Sequence, residues 1–364
     1  MGEILLFFNK LFFIQMDVYF LADTHFGMKG DNEIWLNDCF GYFNEVVIPY
    51  MKKNVKPDDI LVHNGDVFDN RSQIGLHTIN MTIELFEEFS KIFKDIRIIV
   101  GNHDIWNKHT NDITSINVLK YIPNIKIYYT PQVELLGTKS VLFNPWVEDV
   151  NEEKKLLKDV NVDYVFGHLE IGGVTTNSKG TQITNNSTIK NSDFKKSKVY
   201  AGHIHIKQDN KNIHYIGSPY HKDRGDRGNE RGLTILNVET GKTKFIKNTY
   251  SPMFIRDYIK DISDMTVGEI KDRWKNNYVD LYVDSNDISV CNFTELQDYM
   301  IGVYKEFTPM SDNTNQTIIE SMEIEVDNMK TSDDYIDDYL DQCDLTPKMK
   351  QRVVEHMNKL RESL

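Results

Sequence analysis

Five apolar runs in this chain stop abruptly, and each stops on side chains that can hold a metal ion or carry a proton. "VYFLAD" is followed by Thr24 and His25 after its own Asp23. "ILVHNGD" delivers Asp66, with Asp69 three residues on. "RIIVGNHD" delivers Asn102, His103 and Asp104. "YVFGH" ends on His168, with Glu170 beyond it, and "KVYAGHIH" ends on His203 and His205. Between these runs lie stretches of helical period, such as 78–94, where Ile79, Ile83, Phe86, Phe89 and Phe93 share one side. Short strands alternating with helices predict an α/β fold. In open α/β sheets ligands bind at the carboxyl ends of strands. Five strand ends can therefore converge on one site although Asp23 and His205 are far apart in the chain.

The converging set holds three carboxylates (Asp23, Asp66, Asp69), four imidazoles (His25, His168, His203, His205), the Asn102 amide and a further imidazole, His103. Imidazole and carboxylate ligands without thiolate suit Mn, Fe or Zn in a catalytic setting rather than a structural zinc site. A shared carboxylate with further ligands on each side is the usual arrangement for two ions ~3.5–4 Å apart. Any one of these clusters alone reads as a polar turn or a helix cap. Five of them in this order, each after a strand, do not.

With those motifs in hand, "DTH … GDVFD … GNHD … GH … GHIH" resembles the calcineurin-like metallophosphoesterases over residues 17 to about 220. Within that superfamily the chain is most similar to the SbcD-type DNA repair nucleases, a family that includes the recombination endonuclease subunits of T-even-type phages. "FGHLEIGG", "YIGSPY" and "RGLTILNVET" carry that finer likeness. The resemblance implies a four-layer α/β/β/α sandwich binding two divalent ions, with Mn2+ expected and Mg2+ or Fe2+ as alternatives. One ion would take Asp23, His25, Asp66 and His205. The other would take Asp66, Asn102, His168 and His203, with Asp66 as the bridge. His103 would then be the general acid and Asp69 the residue that orients it, while Asp104 reads as a structural hydrogen-bonding residue. One departure matters: protein phosphatases of the superfamily continue with Arg-Gly after the second carboxylate, and here Asn70 and Arg71 follow Asp69. Arg71 stays a candidate phosphate contact.

Net charge of −13 argues at first against a nucleic-acid partner. Residues 311–345 alone carry eleven acidic side chains and one lysine, so the remaining chain is close to neutral. The candidate backbone contacts for DNA are Lys195, Lys196 and Lys198, then Lys222, Arg224, Arg227 and Arg231 around Gly225 and Gly228, with His221 beside them. His63, His77, His109 and His214 lack partner spacing and read as structural or surface residues. "ETGKTKF" at 239–245 imitates a phosphate-binding loop, but Leu236 stands where its first glycine is needed, so a hairpin turn is expected there. Any ATP use must then come from another chain. Cys39, Cys291 and Cys343 form no paired motif, which fits a reducing cytoplasm, the host's if the protein is viral. Residues 1–15 are apolar but too short and interrupted to span a bilayer. They read as a dispensable or mis-called extension, with Met16 opening the first strand.

The expected domain plan is a nuclease domain over 16–250 and a small α+β capping domain over 251–310. Within the cap, "YVDLYVDS" reads as a strand and "NFTELQDYMIGVYKEF", residues 292–307, as a helix. An acidic linker over 311–332 and amphipathic helices over 333–364 follow. By resemblance those helices would dock on a coiled-coil ABC-type ATPase subunit, and the nuclease would act as a homodimer on DNA. The expectation is a DNA exonuclease and endonuclease of recombination and break repair. The rival is a stand-alone phosphatase or small-molecule phosphodiesterase on the same fold.

Overall fold

A computed structural model of the chain describes residues 16–107, 110–177, 179–183, 189–283, 300 and 303–311. The strands are β1 (Asp17–Leu21), β2 (Ile60–His63), β3 (Ile96–Ile99), β4 (Ile105–Asn107), β5 (Thr110–Thr114), β6 (Ile125–Tyr128), β7 (Gln132–Leu136), β8 (Lys139–Asn144), β9 (Tyr164–His168), β10 (Lys198–Gly202), β11 (Gln208–Asn210), β12 (Ile213–Tyr215), β13 (Gly232–Asn237), β14 (Thr243–Lys247), β15 (Phe254–Tyr258), β16 (Tyr278–Val283) and β17 (Glu306–Ser311). One sheet runs β14-β13-β1-β2-β3-β6 and a second runs β11-β12-β10-β9-β8-β7. The central strands β1, β2, β3 and β6 are parallel, as are β8, β9, β10 and β12, so all their carboxyl ends point one way within each sheet.

Side-chain alternation explains how the two sheets stack. Val18 and Phe20 of β1 point to one face, with Ile60, Val62, Ile99 and Tyr128, and meet Val141, Phe143, Phe166 and Tyr200 of the second sheet. Phe20 lies 4.8 Å edge-on to Phe166, and Tyr128 stacks on Phe143 at 4.4 Å, so the contact between sheets is largely aromatic. Tyr19 and Leu21 point the opposite way into a layer of helices: α1 (Glu33–Tyr42), α2 (Ile48–Asn54) and α3 (Leu76–Ile92). On the far side α4 (Val150–Asp159) covers the second sheet through Leu157. Helix, sheet, sheet and helix make four layers. Strands covered on both faces need no polar alternation, which is why they appear in the sequence as unbroken apolar runs.

Asn32 starts α1 by accepting from the Ile34 and Trp35 amides at 3.0 and 3.3 Å. The helix α3 begins two residues before the expected 78 and turns extended at Phe93 to feed β3. Phe86 and Phe89 are buried as expected. The stripe is centred on Thr78, Thr82 and Leu85, however, which leaves Ile79 and Ile83 at its half-buried margin. "ETGKTKF" is the turn between β13 and β14, closed by the Gly241 amide donating to the Asn237 carbonyl at 2.8 Å.

Beyond residue 250 the strands β15, β16 and β17 form a three-stranded sheet, joined by α5 (Val267–Trp274), whose Thr266 and Glu269 make a capping box. The expected strand at 278–285 is β16. Glu306 and Phe307 belong to a strand, so the helix expected over 292–307 does not reach its predicted end; most of that segment lies outside the described residues. The extension 1–15, all of the linker past Ser311 and the helices expected over 333–364 also lie outside them. Cys39 is buried and free. Among the described residues no helix is long and apolar enough to cross a membrane.

Candidate metal centre

The loops after β1 and β2 are zipped together before any side chain is considered. Asp23, His25 and Phe26 donate their amides to the carbonyls of Gly65, Asp66 and Val67 at 2.8 to 3.1 Å. Four site residues, Asp23, His25, Asp66 and His203, have positive φ, a conformation that non-glycine residues adopt only where surrounding contacts enforce it. Asp104 supplies part of that enforcement. Its carboxylate accepts from the amides of Asp66, Val67 and Gly101 at 2.8 to 3.0 Å, which ties the end of β3 to the end of β2. Burial and the neighbouring Asp66 charge push Asp104 up to about 7.

The second sheet joins through Asp23, whose carboxylate oxygens accept from the His203 amide at 3.0 and 3.2 Å. Asp66 lies at the middle. Its Oδ1 accepts from the His103 amide at 2.8 Å, while its Oδ2 is 3.5 Å from His25 Nε2 and 3.3 Å from His168 Nε2. Burial opposes ionisation of Asp66, but His168, His25 and His103 hold it well below the usual carboxylate range. Three groups of ligand atoms are close enough to share an ion: Asp23 with His25 and His205, Asp66 with His168 and His203, and His25 with Asp69 and His103.

The donor chemistry fits divalent cations. A ligating histidine typically gives its other ring N–H to a carboxylate or carbonyl. His25 does so: its Nδ1 is 3.0 Å from Asp69 Oδ1, and its buried Nε2 has no hydrogen-bond partner. His168 does so as well, because its Nδ1 faces the Asn64 carbonyl at 2.8 Å and must carry the ring proton. His168 Nε2 then presents a lone pair to Asn102 Oδ1 at 2.8 Å, and His203 Nδ1 lies 2.9 Å from the same oxygen. An imidazole lone pair and an amide oxygen repel at that distance, and positive charge between or upon them removes the repulsion. Burial opposes a proton on His168, yet the Asp66 and Asp23 carboxylates outweigh it and push the group up to about 9. A metal ion satisfies the same demand with both atoms as ligands.

All seven residues read as ligands, Asp23, His25, Asp66, Asn102, His168, His203 and His205, therefore lie together. Asp69 is placed differently from the expectation. Its carboxylate bonds His25, because the bridge between Phe26 and Phe68 carries it over that ring, and only its carbonyl reaches His103, accepting from Nδ1 at 2.6 Å. Arg71, half-buried just beyond, has no hydrogen-bond or ion-pair partner among the described residues.

The proposed DNA contacts around 221–231 are largely occupied within the protein. His221 is buried, accepts from the Phe254 amide at 3.2 Å and donates to the Asn229 carbonyl at 3.0 Å, which leaves no ring nitrogen for substrate. Arg224 pairs with Asp280 at 3.0 Å and with Glu306 at 2.8 Å, and Arg227 pairs with Asp280. Arg231 is buried against Asp226 at 2.6 Å. Arg224 and Arg227 join the segment to β16 and β17, and their acidic partners could not be matched to them from sequence because they lie more than fifty positions downstream.

Three further side chains flank the centre: Lys222 is one of the candidate DNA contacts, whereas Trp146 and Glu153 carry too little sequence signal to be assigned. Lys222 points its ammonium at His205 Nε2, 2.6 Å away. Trp146 packs its ring 5.0 Å from His203 and 6.0 Å from His168. Glu153 is buried on α4, accepts from Asn144 at 2.7 Å, and is pushed up to about 8 by burial.

Residues 16–207 match the family model described as calcineurin-like phosphoesterase. The chain is 30% identical to exonuclease subunit 1 of Enterobacteria phage T4 over 240 residues, 64% of this chain and 68% of that protein. It is 27% identical over 220 residues to the putative phosphoesterase 078R of Invertebrate iridescent virus 3, covering 56% of this chain and only 57% of that protein. Among solved structures, the phosphopantetheinyl hydrolase of Mycobacterium tuberculosis aligns with 56% of this chain and 90% of its own at 11% identity and a TM-score of 0.35.

Proposed function

Because the chain belongs to the calcineurin-like phosphoesterase family, and is thereby a metal-dependent phosphoesterase, we propose that it is a two-metal DNA nuclease subunit. In this reading it hydrolyses phosphodiester bonds as an exonuclease and endonuclease in recombination and break repair, with Mn2+ as the working ion. A coiled-coil ABC-type ATPase would be its partner, engaged through the helices expected over 333–364. The observation that carries the metal chemistry is the single carboxylate oxygen of Asp66 lying within 3.5 Å of imidazoles from both sheets. The likeness to a phage protein called an exonuclease subunit supports DNA as substrate and a second subunit as partner.

Asp23, His25, Asp66 and His205 would hold one ion, and Asp66, Asn102, His168 and His203 the other. Bound divalent ions supply Lewis acidity toward the phosphoryl oxygens and make water more acidic. Asn102, as a neutral oxygen ligand, limits the negative charge where an anionic phosphate must sit. Asp69 and the Asn64 carbonyl fix the ring protons of His25 and His168 on Nδ1, so each offers Nε2 inward. The Asp69 carbonyl holds His103 by Nδ1, leaving its Nε2 to deliver a proton to the departing sugar oxygen.

Purified protein with Mn2+ should degrade duplex DNA faster than a small phosphodiester, and a phosphomonoester slowest. Turnover of the monoester alone would make the protein a phosphatase and end the nuclease reading.

A further inference from the structure

The segment after β12 carries a lysine that the scheme above leaves unused. Its neighbours are firmly anchored. Tyr220 donates its hydroxyl to the Thr24 carbonyl at 2.5 Å, His221 is held at both ring nitrogens, and the Lys222 amide donates to Asp226 Oδ2 at 2.7 Å. The Lys222 side chain is buried, with the whole residue 7% exposed, and its ammonium lies 2.6 Å from His205 Nε2. Among the described residues no carboxylate lies at ion-pair distance from it; Asp23, Asp226 and Asp66 act on it from further away. Burying an ammonium without a contacting carboxylate is costly, so packing gives no reason for it.

An ammonium has donors and no acceptor, so His205 Nε2 must be offering its lone pair. That lone pair is also what His205 offers a cation in the group it forms with Asp23 and His25. The two uses exclude one another. A cation on His205 Nε2 leaves the Lys222 N–H bonds without that acceptor, in a buried space. A non-bridging phosphoryl oxygen is an acceptor of the right sign, and lysine binds phosphate as a mobile point charge.

We propose that Lys222 is a phosphate-binding residue of this centre: it gives up His205 to the cation and donates instead to a non-bridging oxygen of the phosphoester. The assignment rests on the phosphoesterase reading and is independent of whether the ester belongs to DNA. Two consequences of opposite sign follow. The ammonium repels a divalent ion at His205, and it attracts the phosphate.

Lys222→Met separates the two. Mn2+ binding is read from the paramagnetic signal of the free ion, and inorganic phosphate is then titrated into the Mn2+-loaded protein. Relative to wild type, Mn2+ should bind roughly 10-fold tighter and phosphate roughly 10-fold or more weaker, the range of one charge-assisted hydrogen bond. Lys222→Arg, which keeps the charge, should recover most of the phosphate affinity. Weaker Mn2+ binding in Lys222→Met would make the lysine a brace for His205 and overturn the proposal, as would unchanged phosphate affinity. Should the methionine variant fail to fold, Lys222→Gln carries the same two readouts. A wild-type protein inactive on DNA would refute the nuclease reading while leaving both binding measurements interpretable.

Discussion

Asn102 and His103 are adjacent, and the backbone sends them to opposite tasks. The His103 amide donates to Asp66 while its ring turns toward the Asp69 carbonyl, and the Asn102 amide oxygen faces His168 and His203. In the proposed Mn2+-dependent nuclease, His103→Ala should therefore lower DNA hydrolysis by ~10²–10⁴-fold and leave Mn2+ affinity nearly unchanged; loss of both together would mean the division between the two residues is wrong. Glu153 makes a second prediction at this scale. Burial raises its folded value from the ordinary 4.5 to about 8, so the folded chain holds a proton that the unfolded chain has released. Its contribution to stability is full below the ordinary carboxylate value and declines as pH rises through that window toward 8. Glu153→Gln mimics the protonated acid and should remove that decline, measured as Tm against pH in both proteins. Parallel curves would show that Glu153 does not titrate there.

Strand ends are the element that makes the centre, and their tolerance is small. A Cβ on Gly101 would stand 2.3 Å from both the amide nitrogen and the Oδ1 of Asp66, and one on Gly202 would stand 2.3 Å from the Asn64 carbonyl of the other sheet. Gly101→Ala should displace the Asp66 carboxylate and weaken Mn2+ binding ~10–100-fold, the usual effect of disturbing the support of a ligand. Titration calorimetry showing wild-type affinity would mean the loop yields more easily than the spacing suggests. The strands themselves were legible because burial on both faces writes an uninterrupted apolar run. The face of α3 was legible only in outline: period alone placed Phe86 and Phe89 inward, but Thr78 and Thr82 are buried too, with the Thr82 hydroxyl returning its hydrogen bond to the Thr78 carbonyl. A scale that counts threonine as polar cannot anticipate that.

At the scale of the whole molecule, the phosphoesterase core and the segment after residue 250 are joined by charge as well as by packing. Asp280 is 2% exposed and receives both Arg224 and Arg227. Removing one partner from a buried ion pair costs ~3–5 kcal/mol. Asp280→Ala should accordingly lower unfolding free energy by roughly 3 kcal/mol in a urea titration, with Mn2+ binding intact in the folded fraction. A loss below about 1 kcal/mol would be the value of a surface pair, and the bridge would have no structural weight. The five strand-end clusters, the α/β class and the side chains that gather into the candidate metal centre could be read from the chain alone, because a ligand's chemistry is local and a buried strand has a local signature. The pairing of those ligands across two sheets, the transfer of the Asp69 carboxylate to His25, the capture of the basic loop by Asp280 and the placing of Lys222 on His205 could not. Each depends on which residues, often dozens to nearly two hundred positions apart, the stacked sheets bring within a hydrogen bond, and that distance is set by packing rather than by any pattern along the chain.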